Sequence, residues 1–305
     1  MRMNSWQSII TLAKAHSCTV SEQELLACHT SFRIGGPARV WVEVGSAAAM
    51  AALRSACAEA EIPCVILGNG SNLLASDNGF DGVILHPAAP EFTALTVSGQ
   101  TITVGAGVKL SALTTFARDL GLSGLEFAYG IPGSVGGAVY MNAGAYGGEI
   151  QDVLTQCTVL TSDGRVESRT GAAMAFAYRH SALMTDGGAV ISAQMTLKPD
   201  DSAAISARMA DFLERRRSKQ PLEYPSAGSV FKRPEGHFAG TLIEQCHLKG
   251  YRIGGAQVSE KHAGFIVNRG GATACDVRAL IAHIQQVVFA ETGVRLECEI
   301  RSLGT

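Results

Sequence analysis

Charge is scarce in this sequence: 17% of its 305 residues are Asp, Glu, Lys or Arg, and the formal net charge is −2. Such a surface has no broad cationic field to displace counterions from phosphates, so nucleic acid is not an expected partner. Nor is there a run of about 18 apolar residues without a charge, the length a membrane-spanning helix needs. The first helix-like stretch, residues 5–15, is interrupted by Gln7, Ser8, Thr11 and Lys14 and so lacks the apolar core of an export signal. A soluble, cytoplasmic chain is expected. The eight cysteines, Cys18, Cys28, Cys57, Cys64, Cys157, Cys246, Cys275 and Cys298, are scattered, with no CxxC pair and no histidine at zinc-finger spacing. That argues against a disulfide framework and a structural zinc. His237, His247 and His262 do not pair at ligand spacing on one element, so they are assigned to the surface or to ligand contacts, and no metal is expected. Internal repeats and low-complexity stretches are missing too.

Glycine, in contrast, is plentiful at 34 residues, a sign of tight turns and of places where backbone approaches a ligand or another strand closely. Residues 38–44 alternate as a strand, 46–61 read as an amphipathic helix opened by a serine cap, and 64–67 form a short apolar strand. Strands follow at 82–85, 95–97 and 101–104, then a helix at 111–120. Residues 121–148, rich in glycine and containing Pro132, read as a long structured turn with short helical pieces. Further strands are expected at 153–160, 165–168 and 189–197. A composition shift at 198–202 precedes a basic helix at 203–220. The rest reads as a mixed unit: helix 240–245, a turn at Gly254 and Gly255, strand 264–267, helix 273–292 and final strand 296–301. Thr273 with Asp276 three residues on marks that last helix start. The expected domains are 1–90, 91–202 and 203–305, an α+β chain.

Four loops stand out at strand ends: 33–38, 67–74, 104–107 and 130–138. The glycine pairs at Gly68 and Gly105 lack the third glycine of a Rossmann fingerprint, because Leu73 and Leu110 stand there. Taken singly, each loop is a turn that needs positive φ. Taken together, their successive N–H groups can make anion-binding concavities, with Ser71, Asn72 and Ser134 adding uncharged donors, so a diphosphate could lie across them.

The motifs are more specific than the glycines. Thr30-Ser31-Phe32-Arg33-Ile34-Gly35-Gly36-Pro37-Ala38, Gly68-Asn69-Gly70-Ser71-Asn72-Leu73-Leu74 and Gly130-Ile131-Pro132-Gly133-Ser134-Val135-Gly136-Gly137-Ala138 are followed by Tyr178-Arg179-His180-Ser181, Gly228-Ser229-Val230-Phe231-Lys232-Arg233-Pro234 and Leu296-Glu297-Cys298-Glu299. In this order and over nearly the whole chain they resemble the UDP-N-acetylenolpyruvoylglucosamine reductase family. The resemblance implies a p-cresol methylhydroxylase-like fold, with two subdomains holding non-covalent FAD, and a C-terminal α+β substrate domain. It implies NADPH as reductant and UDP-N-acetylglucosamine enolpyruvate as substrate in peptidoglycan precursor synthesis. Cofactor contacts carried over are Arg33, Gly35, Gly68, Asn69, Gly70, Ser71, Asn72, Leu73, Gly133, Ser134, Gly136, Gly137, Ala138 and Asn142. Substrate contacts carried over are Tyr178, Lys232, Arg233, Lys261 and Asn268. Arg179 and Ser229 are 50 positions apart, too close to hold the extra tyrosine-bearing loop of some family members, so the chain resembles the shorter subtype.

The same resemblance gives Arg179, Ser229 and Glu299 as the catalytic set. A guanidinium grips a carboxylate bidentately and stays charged, which suits orienting a substrate and stabilising an enolate. A serine hydroxyl can deliver a proton if neighbours such as Lys232 or Arg233 help. Glu299 would hold a proton or fix Arg179. Glu297 is the alternative, because two residues apart on a strand share a face. Singly, each of the three has an ordinary reading: a surface ion pair, a turn serine, a solvated edge charge. Two rival functions are an oxidase of the same fold, for which the Arg33 loop lacks a flavin-tethering histidine, and a non-catalytic flavin or UDP-sugar sensor.

Overall fold

The computed structural model describes residues 5–304. By contact density they divide into two compact units. One takes the chain up to Glu22, then Val40–Asn69 and Gly82–Glu214; the other takes Gln23–Arg39, Gly70–Asp81 and Arg215 onward. The early segments 23–39 and 70–81 thus belong with the C-terminal third, which a division into contiguous stretches does not anticipate.

In the first unit the helix Ala47–Glu59 forms where expected. The Ser46 hydroxyl accepts from the Ala49 N–H at 3.1 Å, and Ala49, Met50, Leu53 and Cys57 are buried at helical spacing. With helix Ser5–Ala15 it packs on a sheet whose strand order is Thr19–Leu25, Pro37–Val44, Phe80–Pro87, Cys64–Ile66. The last two strands are parallel, with Val65 opposite Ile84. A second sheet is antiparallel throughout, in the order Val166–Thr170, Leu154–Leu160, Ala189–Thr196, Thr101–Gly105, Leu95–Ser98. Its edge strand Val166–Thr170 alternates exposed and half-buried residues, whereas the central Ala189–Thr196 is buried at Ala189, Val190, Ile191, Ala193 and Met195. Helix Leu110–Asp119 contributes Leu110, Leu113 and Ala117 to the same core as Val135, Ala138 and Val139 of the short helix Val135–Tyr140.

The second unit is built on helix Ala274–Thr292, whose Val277, Leu280, Ile281, Ile284 and Val288 form the apolar stripe. The strands Arg252–Ile253, Ala256–Val258 and Ile266–Asn268 form one antiparallel sheet. The expected strand at 296–301 is displaced. Residues 296–300 are extended with a single bridge, Phe231 to Cys298, and regular pairing starts at Arg301–Leu303, parallel to Leu73–Ala75. The alternation argument for Glu297 and Glu299 therefore has no regular strand to stand on.

The N-terminus of helix Ala274–Thr292 shows why segment 70–81 belongs to this unit. Thr273 and Asp276 make the reciprocal capping box that the sequence announces, at 3.0 Å in both directions. The two remaining free N–H groups of the first turn, on Ala274 and Cys275, donate to the two carboxylate oxygens of Asp77 at 2.7 and 3.0 Å. An anion at a helix N-terminus is favoured by the helix dipole as well as by these bonds. Asp77→Ala is expected to lower stability by about 1 to 2 kcal/mol, since it strands two donors, read as a lower urea midpoint with an unchanged m-value.

Candidate active site

Two of the glycine loops meet in the first unit. A Cβ on Gly68 would stand 2.3 Å from the Ser134 hydroxyl, and the Asn69 amide reaches the Pro132 carbonyl at 3.5 Å. Ser134 is buried and caps the helix Val135–Tyr140 through the Gly137 N–H at 3.4 Å, while Gly136 lies against Ala106. Ala138 is buried under this turn and Gly133 accepts from the Leu110 N–H. Among the described residues, no acceptor is found for the backbone N–H of Gly68, Asn69, Gly70 or Ser71, four successive donors in one loop.

Gly137 is the most telling of these glycines. It is exposed, sits in a helix, and a Cβ there would find only the Ser134 hydroxyl, at 3.5 Å. A helical glycine weakens a helix by about 1 kcal/mol relative to alanine. Nothing in the protein's own packing requires it, and the space beside its backbone is open. Within the first unit, the free donors of Gly68 and Asn69 and the open backbone at Gly137 are features that a diphosphate-binding surface needs.

Other expected cofactor residues serve the fold directly. Gly35 has φ +136°, and its absent Cβ would lie 2.6 Å from that of Ala75; Gly70, at φ +56°, runs 2.1 Å, in the same sense, from the His29 carbonyl. Arg33 is exposed in a turn with φ 55°, its N–H donating to Thr30. Leu73 is half-buried in the parallel pair with Arg301. Asn72 donates to the Glu299 carbonyl at 3.2 Å and accepts from the Arg301 N–H at 3.0 Å, so the loop that was expected to meet a cofactor also fixes the segment that carries Glu299. Asn142 is buried, and its side chain is occupied by protein groups on both its oxygen and its nitrogen.

The expected catalytic residues fall in both units. In the second, Ser229 pairs across a bridge with Phe265, and Val230 accepts from the Glu299 N–H at 2.7 Å. The extended pieces carrying Ser229 and Glu299 are therefore neighbours at ordinary strand spacing, about 5 Å apart. Ser229 and Glu299 are both half-buried, whereas Glu297 is exposed and ion-paired to Lys232 at 3.2 Å. Of the two glutamates that sequence left open, Glu297 therefore lies at the surface and Glu299 is the more buried. In the first unit Arg179 occupies the second position of a two-residue turn closed by reciprocal Ala177 and His180 backbone bonds at 3.2 and 3.1 Å. Its φ of 54° is a left-handed conformation that a non-glycine residue adopts at a cost, and strain of that kind concentrates at functional positions. Its guanidinium carbon lies 5.7 Å from the Tyr178 ring centre, with Tyr178 itself exposed.

The remaining substrate candidates are less uniform. Arg233 stacks over the exposed Phe238 ring at 4.0 Å. Lys261 donates to the Arg217 carbonyl. Asn268 is buried, donating to the Phe32 carbonyl and accepting from the Gly270 and Ala272 N–H groups, so its amide staples loops together. His262, two residues before Gly264 whose N–H its Nδ1 accepts at 3.1 Å, has its pKa pushed down by burial and stays neutral near pH 7. Among the described residues there is no group of three His, Cys, Asp or Glu side chains placed to hold a metal, and no helix is long and apolar enough to cross a membrane.

Sequence profiles place this geometry in a class. Residues 38–169 match the profile of the FAD binding domain, and the chain is an FAD-binding oxidoreductase. Residues 220–303 match the profile described as UDP-N-acetylenolpyruvoylglucosamine reductase, C-terminal domain. The UDP-N-acetylenolpyruvoylglucosamine reductase of Agathobacter rectalis is 47% identical over 297 residues, 93% of each chain, and that of Streptococcus uberis is 48% identical over 281 residues, 92% of each. The crystal structure of the reductase from Thermus caldophilus superposes with a TM-score of 0.82 at 37% identity, covering 94% of this chain and 100% of that one. The chain belongs to the UDP-N-acetylenolpyruvoylglucosamine reductase family.

Gly137→Ala tests the dinucleotide surface. The unfolding midpoint of the FAD-free protein should hold or rise, as helix propensity favours alanine, while FAD retained through gel filtration should fall; unchanged retention would mean the flavin lies elsewhere.

Proposed function

We propose that the chain carries out the NADPH-dependent reduction of UDP-N-acetylglucosamine enolpyruvate to UDP-N-acetylmuramate, in the cytoplasm, as a step of peptidoglycan precursor synthesis. Family membership supports the reaction, and the observation that carries the assignment of residues is the pairing of the Ser229 and Glu299 segments in the second unit. The Gly68 and Ser134 loops would hold FAD, which in its reduced form would supply the hydride needed at the terminal carbon of the enolpyruvyl ether. Negative charge then develops on the substrate, on the adjacent carbon and its carboxylate. Arg179 grips that carboxylate through two parallel N–H bonds and stabilises the enolate. Ser229 donates the proton that completes the reduction at the carbon bearing the ether oxygen. Glu299, on the segment beside Val230, shares a proton with the substrate carboxylate. Lys232 and Arg233, three and four residues after Ser229, are with Tyr178 and Lys261 the candidates for holding the nucleotide sugar, whereas the Asn268 amide is taken up by the loops it joins.

The reduction of flavin by NADPH and the reduction of substrate are separable. Ser229→Ala should leave flavin reduction by NADPH within about twofold of wild type and slow reoxidation by the enolpyruvyl substrate by roughly 10²- to 10⁴-fold, measured by stopped-flow absorbance. Equal loss in both halves would make Ser229 a structural residue. The rival oxidase predicts a tethered flavin; acid denaturation should instead release all FAD into the supernatant, and retention of yellow colour in the precipitate would reverse the assignment.

A further inference from the structure

Arg179 stands on a two-residue turn, and a turn of that size does not fix its own direction. Both feet of this turn are tied to one place. At the first foot the Ala177 carbonyl accepts from the Asn142 amide at 3.2 Å. Just beyond the second foot the Ser181 hydroxyl donates to the Tyr140 carbonyl at 2.7 Å, and Ser181 has 0% of its surface exposed. Tyr140 and Asn142 are two residues apart, at the C-terminal end of the helix Val135–Tyr140 whose other end is the Ser134 turn.

Asn142 is itself immobilised. It is 1% exposed, its oxygen accepts from the Gln151 N–H at 3.0 Å, and its nitrogen also donates to the Glu149 carboxylate at 2.9 Å. Its φ of 44° is left-handed, so the backbone is bent to aim this amide at the turn. The glycine at position 144 adds a third tie, its carbonyl lying 3.5 Å from an Arg179 guanidinium nitrogen. A flexible arginine would have to be ordered at each substrate binding, which costs affinity and rate; a clamped turn is ordered beforehand.

We infer that Asn142 and Ser181 are positioning residues for Arg179, clamping both feet of its turn to the end of the helix that begins at the Ser134 loop. This gives Asn142, carried over as a cofactor contact, a role in supporting the substrate-binding arginine. It rests on the proposed role of Arg179 in the reduction, but the clamp itself can be read without catalysis.

The experiment uses the full-length FAD-bound protein. Amide hydrogen exchange of a peptide spanning residues 176–182 is compared in wild type and Ser181→Ala, and in Asn142→Asp, which keeps the shape but turns a carboxylate oxygen toward the Ala177 carbonyl. Each variant should exchange at least about tenfold faster in that peptide with strand Ala189–Thr196 unchanged. In Ser181→Ala, FAD content and flavin reduction by NADPH should stay within about twofold, while in both variants reoxidation by the enolpyruvyl UDP-sugar slows about tenfold or more with a raised half-saturating concentration. In combination with Arg179→Gln the further loss should vanish, because both changes remove one function. Unchanged exchange in 176–182 would overturn the clamp, as would multiplicative losses in the double variants, or a rate loss that merely tracks lost FAD. If the wild-type flavin is not reoxidised by that substrate at all, the proposed reaction fails, and the exchange comparison alone still decides whether the clamp exists.

Discussion

The structure depends on how backbone groups are satisfied where there is no helix or sheet to satisfy them. The residues proposed for chemistry stand on turns and short extended pieces, and a buried loop carbonyl or N–H without a partner costs as much as a lost hydrogen bond. Short polar side chains supply the missing partners. Asp77 takes the first two free N–H groups of helix Ala274–Thr292, Asn268 joins the Phe32, Gly270 and Ala272 backbones, Asn72 donates to the Glu299 carbonyl, and Asn142 with Ser181 holds the Arg179 turn. Each of these bonds is worth about 1 kcal/mol, yet each also fixes the direction of a segment that nothing else would fix.

This explains why the asparagines of the glycine-rich motifs do two jobs. An amide is compact, carries no charge to repel a phosphate, and offers a donor and an acceptor at once. Asn72 therefore sits in a loop with four free backbone donors and still binds the Glu299 carbonyl. The glycines of the same loops divide along similar lines. Gly35 and Gly70 are there because backbone or a neighbouring methyl occupies the place of a Cβ, whereas Gly137 leaves a space that no protein atom fills.

Most regular elements were legible. The helices at 5–15, 47–59 and 274–292 and the strands of the five-stranded sheet fall within a few residues of their expected bounds, because apolar periodicity and caps such as Ser46 and Thr273 are local signals. Strands Thr19–Leu25 and Leu73–Ala75 were not foreseen: the first is polar, with a mostly exposed or half-buried pattern, and the second is three residues long and exists only by pairing with Arg301–Leu303. The expected strand at 296–301 shifted for the same reason, since its partner lies more than 200 positions earlier in the chain. At the site, motif resemblance singled out Arg179, Ser229 and Glu299, but the roles of Asn142, Ser181 and Asp77 as ties were invisible.

By itself the sequence determined where the helices start, which loops can have backbone close to a ligand, and which family the motifs resemble, since all of these are written in neighbouring residues. Only the tertiary structure decided that Glu297 is spent on Lys232 while Glu299 is held by Asn72, and that residues 23–39 and 70–81 join the C-terminal third. A hydrogen bond between residues far apart in the chain depends on where folding brings two backbones, and local composition carries no record of that distance.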